Sequence, residues 1–195
     1  MKKFIVFDGL DGSGKGVMIK KLKELLEKQG NKVLVTREPT DGQYGKQARD
    51  ILKNDTDPKS NSEKCLQLFI KDREEHLKEI ENFDGIVICD RYYYSTIAFQ
   101  HTQGIPIEDL IAMNIQFKTP KITFILDLPA KIALERISKR GDPKEKFEQL
   151  GFMNKLRDNF LRLKDELDDN IIIIDASKTK EEVFEQIKFE IDKSL

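Results

Sequence analysis

Five short apolar runs set the main constraint on this chain. Phe4–Phe7, Val33–Thr36, Ile86–Cys89, Ile122–Leu126 and Ile171–Ile174 are rich in β-branched residues, and none alternates apolar with polar. A strand with one wet face shows that alternation. Strands covered on both faces do not, and such strands belong to parallel sheets flanked by helices. The segments between the runs have helical spacing. "VMIKKLKELLEKQG" puts Met18, Ile19, Leu22, Leu25 and Leu26 on one stripe and ends at Gly30, a C-cap signal. Helical patterns also run through "NSEKCLQLFIKDREEHLKEI", "IEDLIAMNIQF", "AKIALERISKR", "EQLGFMNKLRDNFLRLKDEL" and "TKEEVFEQIKFEIDKSL". The alternation predicts an open α/β fold: a parallel sheet of about five strands with helices on both faces. Ligands of such sheets bind beyond the carboxyl ends of the strands.

Composition narrows the partners. The chain has 195 residues without an internal repeat or linker, which predicts one domain over 1–195. Its 34 Lys and Arg nearly balance 35 Asp and Glu, so the net charge of −1 gives no electrostatic case for nucleic acid or an anionic membrane. The apolar runs are too short to span a bilayer, and the N-terminal one is too short for a secretory signal. Cys65 and Cys89 lie far apart, Cys89 within "GIVICD", which predicts buried free thiols and a reducing, cytoplasmic setting. His76 and His101 have no metal-ligand spacing and are expected in packing or surface roles.

The first run leads into "GLDGSGKG". Gly9 to Lys15 reads G-x-x-x-x-G-K between a strand and a helix, which is the P-loop arrangement. The amides of Gly9, Leu10, Asp11, Gly12, Ser13, Gly14, Lys15 and Gly16 are expected to cradle nucleotide phosphates, with Lys15 reaching the outer ones. Ser or Thr usually follows the lysine and binds Mg²⁺. Here Gly16 and Val17 follow, and neither carries a hydroxyl. Mg²⁺ keeps several waters and takes one or two carboxylates, so a water can stand in. Asp90, closing "GIVICD", is the expected metal carboxylate, and Asp8 is a second candidate acting through water. A nucleotide binder without chemistry, or a kinase of another deoxynucleoside or deoxynucleotide, stays open as an alternative. A GTPase is disfavoured, because "NKVL" lacks the aspartate of N-K-x-D and lies too early.

"TREPTDG" (36–42), "LQLFIKDR" (66–73), "DRYYYSTIAFQ" (90–100) and "ERISKRGDPKEKFEQLGFMNKLRDNFLRL" (135–163) resemble the thymidylate kinases in order and spacing, from Phe4 to the end of the chain. The version with "REPT" is similar to archaeal members. The resemblance implies a Mg²⁺-dependent kinase that moves the γ-phosphoryl of ATP onto dTMP, giving dTDP and ADP, usually as a homodimer. It implies that Lys15 and the loop hold ATP, that Asp11 lies near the sugar 3′-hydroxyl or the metal, and that Asp90 positions Mg²⁺. Arg37 and Arg91 would grip the acceptor phosphate. Phe69 would stack on thymine, Arg73 would bond its O4, Thr96 would reach the ring's polar edge, and Phe99 would crowd the 2′ position. A mobile lid at about 136–148 would bring Arg136 near adenine and Arg140 near the transferring phosphoryl. Gly16 and Lys146, the latter where the family often carries Arg, depart from the pattern.

Overall fold

All five apolar runs are strands of one parallel sheet. They are β1 (Lys3–Gly9), β2 (Val33–Arg37), β3 (Ile86–Asp90), β4 (Ile122–Asp127) and β5 (Ile171–Asp175), in the order β2-β3-β1-β4-β5. The computed structural model describes residues 3–54, 60–139, 147 and 149–194. Phe4, Ile5, Val6 and Phe7 of the central strand are almost wholly buried, as a strand covered on both faces requires. No helix among the described residues is long and apolar enough to cross a membrane.

Eight helices connect the strands among the described residues: α1 (Lys15–Lys28), α2 (Gln43–Asn54), α3 (Ser62–Asn82), α4 (Tyr93–Thr102), α5 (Ile107–Asn114), α6 (Ala130–Ser138), α7 (Leu150–Glu166) and α8 (Lys180–Ser194). The stripe Met18, Ile19, Leu22 and Leu26 is the buried face of α1. This helix ends in a Schellman turn: Gly30 N–H bonds Glu27 O and Asn31 N–H bonds Leu26 O, with Gly30 at φ +86°.

Two helices have no counterpart in the sequence patterns. α2 buries only Gly45 and Ala48 outright, and its apolar stripe, Tyr44, Ala48, Ile51 and Leu52, is short and otherwise half-buried. Its approach depends on Gly45, where a Cβ would collide with Thr40 O. α4 fails to show for the opposite reason. Tyr93, Tyr94, Thr96, Ile97, Ala98 and Gln100 are all buried, so it is covered all round and has no polar face. Its first turn is tethered by the Tyr93 and Tyr94 hydroxyls, which both donate to Asp169.

β1 lies between β3 and β4, and the strand order reverses there, at the switch point where open α/β sheets hold ligands. The loop from Gly9 to Lys15 leaves the sheet at this point. Arg37 and Asp90 end adjacent strands in register beside it. Gly45→Ala is expected to lower unfolding free energy by about 1–3 kcal/mol through overpacking in a urea titration. Gly16→Ala, whose added carbon meets nothing within 4 Å, is expected to be neutral or to stabilise by up to about 1 kcal/mol.

Candidate active site

The loop after β1 is held in an anion-binding shape by glycine. Gly9 (φ +124°) passes so close to β4 that a Cβ would meet Leu126 O at 2.6 Å, and Gly12 (φ +82°) packs on α6, with Ala133 O at 2.7 Å. Gly14 (φ +99°) is the N-cap of α1, so the free N–H groups of that helix's first turn follow directly. Lys15 folds back into the loop. Its Nζ donates to Gly9 O (3.0 Å) and Leu10 O (3.1 Å) and lies 3.9 Å from Asp11. Burial and the neighbouring Arg91 charge push the ammonium's pKa down, against Asp11, Asp90 and Asp8. Arg136 reaches the same loop from α6, 3.5 Å from Gly12 O, and also donates to Ala176 O at 3.2 Å.

Asp8 joins this loop to the segment after β3. Its Oδ1 accepts from Gly9 N–H (2.9 Å) and the Ser95 hydroxyl (2.6 Å). Its Oδ2 accepts from the N–H groups of Tyr92 (3.2 Å) and Ser95 (3.0 Å). Burial raises its pKa, opposed by Arg91, Ser95, Lys15 and Gly9. With no exposed surface and both oxygens engaged by backbone and side-chain donors, Asp8 caps α4. Arg91 follows β3 at φ +70°. Its Nη2 donates to Asp11 Oδ1 (2.6 Å) and its Nη1 to Ser95 Oγ (2.8 Å). Burial works against its charge, but Asp11, Asp8 and Asp90 outweigh burial and hold its pKa above the ordinary arginine value.

Beyond Arg91 opens a cleft of about 350 Å³ between α3, α4 and the ends of β2 and β3. All seven residues proposed from the sequence for the acceptor nucleotide line it: Asp11, Arg37, Phe69, Arg73, Arg91, Thr96 and Phe99. Phe69 and Arg73 stand one turn apart on α3, and Thr96 and Phe99 come from α4. Arg73 is buried between the Tyr92 and Phe117 rings, with its guanidinium carbon 5.0 and 5.3 Å from their centroids. It donates to Glu38 Oε2 (2.9 Å), Asn114 Oδ1 (2.7 Å) and Thr96 Oγ1 (2.9 Å). The Arg91 guanidinium carbon lies 5.6 Å from the Phe99 ring centroid. Arg37 is more exposed and pairs with Asp41 at 3.0 Å, and its guanidinium depresses the Asp41 pKa.

The residues present fit a divalent cation. Asp90 Oδ1 is buried and has no hydrogen-bond partner. Gly16, Arg37 and Asp90 line a second cavity beside the edge of β2, and a side chain at Gly16 would find open space. Asp90 and the open space beside Gly16 therefore border the same cavity, where water could stand in for the missing hydroxyl. Arg140 and Lys146 lie outside the described residues, as does most of the proposed lid.

The family model for thymidylate kinase matches residues 7–187. The chain belongs to the thymidylate kinase family. Among curated relatives, the probable thymidylate kinase of Pyrococcus abyssi is 38% identical over 191 residues, covering 94% of this chain and 93% of its own. The probable thymidylate kinase of Archaeoglobus fulgidus is 36% identical, covering 98% and 95%. The thymidylate kinase of Leptospira interrogans serogroup Icterohaemorrhagiae serovar copenhageni is 35% identical, covering 94% and 90%.

For a thymidylate kinase family member, four residues of the cleft region escaped the sequence reading. Arg49 comes from the unpredicted α2 and donates to Pro39 O (2.7 Å) and Asp41 (2.9 Å). Gln100, from the unpredicted α4, donates to Gln103 Oε1 at 2.9 Å, and its own Oε1 is buried without a partner. Glu38 and Asn114 both fix Arg73. The one available signal was Gln100 itself, the last residue of the "DRYYYSTIAFQ" motif. Asp8→Asn places N–H groups against backbone donors. It is expected to reduce unfolding free energy by about 1–3 kcal/mol, measured by chemical denaturation.

Proposed function

We propose that this enzyme transfers the γ-phosphoryl group of ATP to the terminal phosphate oxygen of dTMP, releasing dTDP and ADP. The observation that carries the reading is the polar lining of the acceptor cleft. Arg73 brings N–H donors to it, those of Nη1 and Nη2 beyond the bonds to Asn114 and Thr96, and Gln100 Oε1 is a buried acceptor without a partner. Thymine has a carbonyl at position 4 and an N–H beside it, so it matches that donor–acceptor pair. Cytosine presents an amino group and a bare nitrogen and matches neither. Phe69 supplies a face for stacking, worth about 1–3 kcal/mol per base.

The remaining roles follow from charge and position. Lys15 and the amides at the start of α1 hold the donor phosphates, and the ammonium must leave Gly9 O and Leu10 O to do so. Arg37 and Arg91 face the acceptor phosphate; a planar guanidinium bonds a phosphate bidentately and stays charged as its oxygen attacks. Asp11, bonded to Arg91 beside the donor loop, directs that guanidinium and lies toward the sugar. Thr96 accepts from Arg73, which leaves its hydroxyl proton to donate to the ring edge. Phe99 crowds a 2′-hydroxyl, and Arg136 lies toward the donor base. Arg140 is assigned to the transferring phosphoryl by resemblance.

In the transfer, an acceptor phosphate oxygen bonds the γ-phosphorus while the bond from that phosphorus to the β–γ bridging oxygen breaks. Protein supplies alignment and positive charge. Asp90 is the residue that would hold Mg²⁺, which when bound neutralises charge on the donor phosphates. A cytoplasmic location accords with the buried free thiols Cys65 and Cys89, and a homodimer and a single catalytic unit over 1–195 rest on resemblance.

An ADP-release assay across monophosphates tests the reading. The dTMP rate should be highest. dUMP should fall within about 4-fold, since a buried methyl contributes about 0.8 kcal/mol. dCMP should lose about 10²-fold or more from two mismatched polar contacts. Purine monophosphates as better acceptors would overturn the substrate assignment. Lys15→Met should abolish turnover, and Gly16→Ser should raise kcat or Mg²⁺ affinity by up to about 10-fold, since the water it replaces already recovers part of the contact.

A further inference from the structure

Helix α3 sends three side chains onto the segment between β2 and α2. Asp72 Oδ2 accepts from Thr40 N–H at 2.7 Å. Arg73 grips Glu38 Oε2. His76, one turn further, lies with Nδ1 3.0 Å from Glu38 Oε1 and Nε2 2.7 Å from Thr36 Oγ1. Glu38, Arg73 and His76 are all buried, so no water competes for these bonds.

The donors and acceptors of this chain of contacts run one way. A carboxylate can only accept, so Nδ1 carries the proton toward Glu38, and in the neutral ring Nε2 accepts from the Thr36 hydroxyl. The imidazole is pinned at both nitrogens and fills the oxygen of Glu38 that Arg73 leaves. Glu38 is thereby held in one orientation, which fixes the plane of the Arg73 guanidinium between Tyr92 and Phe117. His76 does not line the acceptor cleft; it lines the second cavity, beside the edge of β2.

We propose that His76 is a positioning residue for the acceptor nucleotide: by orienting Glu38 it presents Arg73 to the base, so base recognition depends on a side chain that never touches the substrate. This rests on the reading that the enzyme phosphorylates dTMP. A histidine that merely filled the core would, when replaced, lower stability or disturb both substrates alike. A positioning histidine acts on the acceptor and on base choice, and leaves ATP binding untouched.

Steady-state kinetics of His76→Leu, His76→Asn and Thr36→Val separate the two. His76→Leu removes both bonds and is expected to raise the KM for dTMP by about 10-fold or more, leaving the KM for ATP and kcat within about 2-fold. The preference for dTMP over dCMP should narrow by about 10-fold in the same variant. His76→Asn keeps an N–H at the δ position that faces Glu38 and should restore the KM to within about 3-fold of wild type. An unchanged dTMP KM and base preference in His76→Leu, or an equal rise in both KM values, overturns the proposal. If His76→Leu does not fold, Thr36→Val decides: a dTMP KM raised by about 3-fold with an unaltered melting temperature supports it, and an unaltered KM overturns it. A wild-type enzyme that releases no ADP with dTMP removes the functional reading and this proposal together. Active wild type with flat His76 and Thr36 variants removes this proposal alone.

Discussion

Asp8 lies under the floor of the site, with donors arriving from two directions. From its own strand comes Gly9 N–H, where the phosphate loop begins; from across β3 come the first amides of α4 and the Ser95 hydroxyl. A lone carboxylate at that depth would take up a proton. Four hydrogen bonds, together with Arg91 at 3.9 Å, offset part of that burial. The glycine-rich loop and the helix that lines the cleft are therefore fastened to a common point. Arg91 takes its left-handed backbone conformation between these anchors, which turns its guanidinium toward Asp11 and the cleft.

The sheet was legible in the sequence because its strands are buried on both faces, and an uninterrupted β-branched run has few other uses. α1 was legible through its stripe. α2 and α4 were not, one having only a short, half-buried apolar stripe and the other almost no polar face. The residues expected at the acceptor came from motifs, and the fold gathers them around one cleft. Partners were harder to read than positions. That Glu38 answers to Arg73 and His76, 35 and 38 residues away, is a product of the fold and leaves no local spacing to find. The partners of Asp8 were hidden for a related reason: a carboxylate at a strand end looks the same in sequence whether it faces solvent or four backbone and side-chain donors. Beside Gly16 the space is open, and Asp90 lines the same cavity, which no motif spacing could have shown.

Both arginines at the mouth of the acceptor cleft already hold a carboxylate of the chain itself. Arg37 holds Asp41, which also engages Arg49, and Arg91 holds Asp11. On the roles proposed above, an acceptor phosphate would meet cations that already carry counterions: at Arg37 it would exchange with Asp41, and at Arg91 it would join Asp11, which holds that guanidinium in place. Such a site would attract stray polyanions less than bare arginines would, and Asp41 would be at hand to rejoin Arg37 when the product leaves. The pairing that dulls the pocket toward the wrong anion would also ease departure of the right one.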